Sequence, residues 1–217
     1  MTKSVSTPLP TASYLEQAAL WPAEGRAILA HFDDQSIIVY QAYKPGIAKY
    51  AIKHGRLGGS EFSFNRMSWI KPNFLWMMYR CGWASKPGQE CVLALRLRRP
   101  FFDNWLAQAV PSSFEAAQHV FDSRESWAKA VEASDVRLQW DPDHTPSGAK
   151  STRRAVQLGL RGTALRALAE TALIEVIDMT EFVTSQRPFA SDASPVLQTP
   201  VERVYLPGTP SASASPN

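Results

Sequence analysis

Apolar and polar positions along the chain follow two periods. Residues 36–43, SIIVYQAY, are β-branched and aromatic with scarcely a polar break, which predicts a short strand covered on both faces. Residues 90–98 alternate: Cys91, Leu93, Leu95 and Leu97 share one face, and Val92, Ala94, Arg96 and Arg98 share the other, which ends basic. The same period places Val136, Leu138 and Trp140 opposite Arg137 and Gln139, and it predicts further strands over 67–70, 154–160 and 174–179. Helical spacing predicts a helix over 14–31 that Pro22 divides in two, and others over 47–54, 122–133 and 163–172. Pro100 opens another, carrying Phe101, Trp105, Leu106 and Ala109. Between Pro72, suited to a first helical turn, and Gly82, suited to a stop, Phe74, Leu75, Trp76, Met77 and Met78 are apolar all round. A helix of that kind is buried. Lys86-Pro87-Gly88 and Asp141-Pro142-Asp143 read as turns.

The ends differ in composition. Residues 1–13 are polar and contain proline, and residues 186–217 are dominated by Pro, Ser, Thr and Ala, with six prolines. Both are expected to lack order, because such segments bury too little surface. Residues 14–185 then form a single α+β domain with a mixed or antiparallel sheet of about five or six strands and flanking helices. With 217 residues, 45% of them apolar, the chain needs no covalent staple. Two cysteines, Cys81 and Cys91, do not make a disulfide framework, and a reduced compartment is the default. The first residues carry no apolar leader, and Lys71 and Pro72 interrupt the best apolar run. The expectation is a cytoplasmic protein with no membrane partner.

Charge sharpens this picture. The net charge of +3 conceals eleven Lys or Arg and two acids, Glu61 and Glu90, between residues 44 and 99. That segment carries +9 and the rest −6, so its field attracts anions. Lys44, Lys49, Lys53 and Arg56 read as ordinary solvated charges near a surface helix. Glycine-rich phosphate loops, zinc motifs, serine-nucleophile elbows and CxxC pairs are all missing from the sequence. His144 neighbours Asp141 and Asp143, but Asp-Pro-Asp turns form for their own backbone bonding, so no metal ligand is assigned. Cys81 at a helix C-terminus and Cys91 on a core face read as small core residues.

Polar residues inside apolar segments remain: Gln41, Arg66, Lys71, Arg80, Arg137, Gln139, Arg154 and Gln157. A charge near a core costs several kcal/mol unless paired, and the central region has too few carboxylates to pair them all. A phosphate would, through charge-assisted bonds. The alternative is that these side chains snorkel to solvent or pair with Asp33, Asp34, Glu90 or Asp141. Tyr40, Tyr43, Trp69, Trp76, Tyr79 and Trp83 run beside the basic residues, an interleaving that suits base stacking as well as core packing.

The segments IIVYQAY, RMSWIKPNFLWMMYRCGWASKPGQE, VRLQWDP and RRAVQLGL occur in that order, from about residue 26 to 180. Together they resemble the bacterial and fungal family called domain of unknown function 4291. The resemblance places its motif here at Tyr40, Gln41, Tyr43, Arg66, Trp69, Lys71, Trp76, Arg80, Trp83, Lys86, Gln89, Gln139, Trp140, Asp141, Arg154 and Gln157, with Cys81 where Ser is usual. No activity comes with it. Short strands bearing several arginines also resemble, at fold level only, the ADP-ribosyltransferase-like folds, including RNA phosphotransferases that use arginines and no metal.

The leading expectation is an enzyme acting on a nucleotide or an RNA end, with NAD as a candidate cofactor. Arg66, Lys71, Arg80 and Arg154 would hold phosphates, with Lys86 and Tyr43 in the same ligand-binding set. Tyr40 or Trp69 would stack a base, and Gln41 and Gln157 would orient sugar or base. Asp141 would orient an arginine or act as a base, and Glu175 is the one candidate for the acid such folds carry near the last strand. The alternatives are a non-catalytic nucleic-acid-binding module and an accessory protein of small-molecule biosynthesis.

Overall fold

The two larger sheets meet at a single backbone bridge, and that junction organises the protein. The computed structural model describes residues 8–208. In chain order the elements begin with β1 (Thr11–Ser13), α1 (Tyr14–Ala18), β2 (Gly25–Arg26), β3 (Leu29–Ala30), β4 (Ser36–Tyr43) and α2 (Pro45–His54). The middle holds β5 (Ser68–Ile70), α3 (Phe74–Cys81), β6 (Cys91–Arg98), α4 (Arg99–Gln108), β7 (Val110–Pro111), α5 (Phe114–Ala117) and α6 (Arg124–Ala133). It continues with β8 (Val136–His144), β9 (Lys150–Leu160), α7 (Gly162–Glu170), β10 (Leu173–Asp178) and α8 (Thr180–Gln186), followed by a 3-10 turn, Arg187–Phe189. The last strands are β11 (Gln198–Pro200) and β12 (Arg203–Val204). This is a mixed α+β single-domain fold.

The three-stranded antiparallel sheet β10-β6-β4 is covered on both faces. Ile37, Val39, Leu93, Leu95 and Leu97 enter one core, and Ile38, Tyr40, Val92 and Ala94 enter a second. The near-continuous apolar reading of β4 is explained by this double burial. The five-stranded sheet runs β2-β9-β8-β7, with β5 also on β9. β2 and β5 take successive stretches of β9, at Arg153–Arg154 and at Leu158–Leu160.

α3 is buried, as its uniform apolarity requires: Phe74, Leu75, Met77, Met78 and Cys81 belong to the second core. The Asn73 side chain caps its start by accepting from the Trp76 amide at 2.6 Å, and Gly82, at φ 60°, ends it in the left-handed region. Trp83 and Ala84 also have positive φ, 53° and 62°, a conformation that is costly for residues with a Cβ. Burial of Trp83 and its indole bond to the Pro146 carbonyl at 3.1 Å hold it there.

Several expectations are corrected. The helix over 14–31 is only α1, because the polar stretch after Trp21 joins β9 through β2 and the apolar pair of β3 joins β12. Asp141-Pro142-Asp143 does not turn the chain. Proline is tolerated where the β8–β9 ladder becomes irregular, between Pro142 and His144. The terminal segments are ordered wherever they are described. β1 pairs with β11, β12 pairs with β3, and Leu9, Leu197, Glu202 and Tyr205 are buried. Their polar composition misleads because their few apolar residues fill cores that other segments build. Residues 1–7 and 209–217 lie outside the described residues.

Candidate functional site

β4 meets the chain just past β5 at a single backbone bridge. The Tyr40 amide donates to the Lys71 carbonyl at 2.7 Å, and the Lys71 amide donates to the Tyr40 carbonyl at 3.3 Å. At this junction, between the two sheets, a cleft of about 690 Å³ opens. β4 contributes Gln41 and Tyr43, β5 contributes Ser68 and Trp69, and β8 and β9 contribute Gln139 and Gln157. Arg66, Met67, Phe62 and Ser63 come from the connection before β5, Met77 and Arg80 from α3, and Gln89 from the turn after it.

The polar groups hold one another in place. The Gln41 amide donates to Ser68 Oγ at 2.7 Å and to the Trp69 carbonyl at 3.2 Å, while its oxygen accepts from the Tyr43 hydroxyl. Asp141 accepts from both neighbouring glutamines, Gln139 on Oδ1 and Gln157 on Oδ2, each at 2.7 Å. The antiparallel register that sets Gln139 opposite Gln157 makes this possible. A carboxylate can only accept, so it turns both amide NH₂ groups toward itself and fixes the orientation of both glutamines. Burial pushes the Tyr43 hydroxyl pKa up, so it stays a protonated donor.

Trp69 lies across Gly159, its register partner on β9. A Cβ there would come 2.6 Å from Met67 Sδ and 3.0 Å from the indole of Trp69. The absent side chain is what lets the ring lie against the strand.

Lys71 is 5% exposed, and its ammonium has one hydrogen bond, to the Trp69 carbonyl at 3.3 Å. Among the described residues no carboxylate lies within 4.0 Å of Lys71, Arg66 or Arg80. Burial, and after it the Arg80 charge, lower the Lys71 pKa to about 8, with Asp141 acting in the opposite direction. Arg80 donates to Gln89 Oε1 at 3.2 Å.

Of the residues singled out by sequence, Gln41, Tyr43, Arg66, Trp69, Lys71, Arg80 and Gln157 come together here. Four others do not. Tyr40 has no exposure and sets its ring edge-on to Phe74, so it cannot stack a ligand base. Lys86 donates to the Tyr79 and Arg80 carbonyls at 3.2 and 2.9 Å, satisfying the C-terminus of α3. Arg154 lines a different cleft. Its position three residues from Gln157 puts the two on opposite faces of β9, a parity already present in the sequence. Glu175 pairs with Arg96 at 3.0 Å in the β6–β10 ladder and does not line the cleft.

Asp141 orients glutamines, not an arginine. His144 is buried with its ring stacked on Tyr79 and Trp76, and Asp143 pairs with Arg153 at 2.6 Å, so these residues form no cation site with Asp141. Lys44, read as an ordinary solvated charge, lies at the cleft and pairs with Glu61 at 2.7 Å. Ser68 and Phe62 carried no signal in the sequence, whereas Gln139 stood out as a polar residue in an apolar strand but was given no ligand-binding role.

No helix among the described residues is long and apolar enough to cross a membrane. A search of curated proteins finds no match. The family model described as "Domain of unknown function (DUF4291)" matches residues 27–205, and the chain that builds this cleft belongs to that family.

Proposed function

We propose that the protein is an enzyme acting on a phosphate-bearing nucleotide, free or at the end of an RNA chain, held in the Lys71 cleft. One observation carries this reading: a buried lysine without a carboxylate partner among the described residues, flanked by Arg66 and Arg80, which also lack one there. An unpaired buried cation costs several kcal/mol, and a phosphate supplies both the counter-charge and acceptors for the remaining N–H groups. Trp69 offers a flat apolar face for a base, and the locked glutamines read the polar edges of base or ribose. A lysine whose pKa is lowered to about 8 exchanges its proton near neutral pH, which suits acid–base chemistry at the phosphate or sugar. Convergence in one cleft, in place of a spread along an open face, favours a discrete ligand over a surface nucleic-acid module.

Calorimetric titration with nucleoside monophosphates and diphosphates, NAD and inorganic phosphate tests the reading. Saturable binding that disappears in Lys71→Met and falls in Arg66→Ala and Arg80→Ala is expected. Absence of binding across that panel and to short oligonucleotides overturns it. Binding with no turnover of any bound ligand removes the enzymatic part alone.

A further inference from the structure

A second cleft, of about 510 Å³, lies on the opposite face of the β8–β9 ladder and shares one lining residue with the first, Gln139, so the two meet around the edge of β8. The amide of Gln139 is bracketed by the two clefts: its nitrogen donates to Asp141, which also holds Gln157, and its oxygen accepts from Ser112 Oγ at 3.4 Å. Ser112 lies just past β7, where its amide still bonds to the Leu138 carbonyl. β7 pairs only with Arg137 and Leu138, so the β8 segment from Gln139 onward has lost that neighbour and the cleft opens along it.

Arg26 and Arg154 dominate this second cleft. They are register partners on the parallel strands β2 and β9, so two guanidinium-bearing residues stand side by side. Both are exposed, and among the described residues neither has a carboxylate within 4.0 Å. Like charges on paired positions repel, and Glu115, the one acid in the cleft's lining, forms no ion pair with either arginine. Trp140 sits with them: the Arg26 guanidinium lies 5.7 Å from its ring centroid, and Arg154 Nη1 donates to its carbonyl at 3.3 Å. Ser112, Ser113, His119 and one carboxylate, Glu115, complete the polar lining. Paired arginines beside a tryptophan form the combination that holds a sugar–phosphate backbone while stacking a base. The same combination, cations around Trp69, occurs in the first cleft.

Given the reading of the first cleft as a nucleotide site, we infer that the substrate is a single-stranded oligonucleotide whose terminal nucleotide occupies the Lys71 cleft and whose adjoining nucleotides pass Gln139 to reach Arg26, Arg154 and Trp140. A free mononucleotide would leave the second cleft unused. A duplex would not fit, because both tryptophans call for unstacked bases.

Binding of nucleoside 5′-monophosphates and 5′-phosphorylated trinucleotides, in RNA and DNA versions, is compared on the full chain. The comparison is repeated with Arg26→Gln/Arg154→Gln, exposed positions whose replacement keeps the side chains long. Wild type is expected to bind a trinucleotide at least roughly tenfold more tightly than the monophosphate, a gain of the size charged hydrogen bonds supply. The double variant should lose that gain, keep monophosphate affinity, and show a salt slope shallower by about 0.7 for each phosphate released. A gain with RNA alone, or with both RNA and DNA, supports the inference and identifies the sugar. Equal affinity for monophosphate and trinucleotide in wild type overturns it while leaving the first cleft's nucleotide site standing. A trinucleotide gain that survives in the double variant also overturns it. Failure of both ligands to bind removes this inference together with the nucleotide reading.

Discussion

Tyr40 and Lys71 exchange both backbone hydrogen bonds across the junction of the two sheets, yet their side chains serve different ends. The Tyr40 ring packs in the second core against Phe74, while the Lys71 amine ends in the cleft. One bridge therefore ties core packing to ligand geometry, and the position of the cationic group follows from the sheet junction more than from any loop.

Lys71→Met keeps the buried stem and removes the charge. The variant is expected to lose ligand binding and to be more stable than wild type near pH 7, by up to roughly 3 kcal/mol. The folded protein releases the Lys71 proton near pH 8, and the unfolded chain near the ordinary 10.5. Between those values the unfolded state binds more protons, so wild-type stability rises with pH there. Chemical denaturation of both proteins from pH 7 to 10.5 should show the gap closing upward from pH 8. A gap that stays constant contradicts the burial of an unpaired cation.

Asp141→Asn replaces an acceptor-only group that receives one amide from each of Gln139 and Gln157. One asparagine NH₂ would then face a glutamine NH₂, and one glutamine must turn. Nucleotide affinity should drop by roughly tenfold, with little change in melting temperature. Titration calorimetry alongside thermal melts separates this from general destabilisation.

Gly159→Ala sets a methyl 3.0 Å from the Trp69 indole and 2.6 Å from Met67 Sδ. The thioether can swing away, but the ring must shift by a few tenths of an ångström. The expected cost is roughly 1–3 kcal/mol of stability, accompanied by weaker ligand binding. An unchanged denaturation midpoint and unchanged affinity would show that Trp69 is not held where the register places it.

Glu202 is buried, and its Oε1 accepts the Phe74 amide at the start of α3 at 2.8 Å. Burial pushes its pKa well above the ordinary 4.5. The folded state therefore keeps this proton longer than the unfolded chain. The group's stabilising contribution is complete below 4.5 and declines as pH rises toward the folded value. Glu202→Gln imitates the protonated carboxyl and should remove this decline. The melting temperature of wild type relative to the variant is expected to fall as pH rises above 4.5, and parallel profiles would count against it.

Ending the chain at residue 196 deletes β11, β12, Glu202 and Tyr205, whose hydroxyl accepts from Arg99 Nε at 2.9 Å. Loss of a cooperative thermal transition is the expected outcome. A truncated protein that melts like the full chain would show that the C-terminal segment is dispensable.

Most elements were legible because their patterns are local. The boundaries of β4 and the stop of α3 at Gly82 follow from β-branched runs and a glycine suited to positive φ. The resemblance through WIKPNFLWMMYRCGW held, since the family match spans the motif. The terminal segments were misread because composition measures average hydrophobicity. Leu9, Leu197 and Tyr205 fill cores built by residues far away in sequence.

The candidate site divides in the same way. Residue types alone pointed to a basic, tryptophan-rich cluster short of carboxylates, because charge and composition add up without knowledge of the fold. Which of those residues meet is a matter of strand parity and sheet register, and these depend on pairings between distant segments. The pairing of Gln139 with Gln157 assembled the Asp141 clamp, the bridge at Lys71 set the amine into the cleft, and the β2–β9 pairing carried Arg154 away to stand beside Arg26. A side chain's chemistry is a property of the residue, but its neighbours are a property of long-range hydrogen bonding.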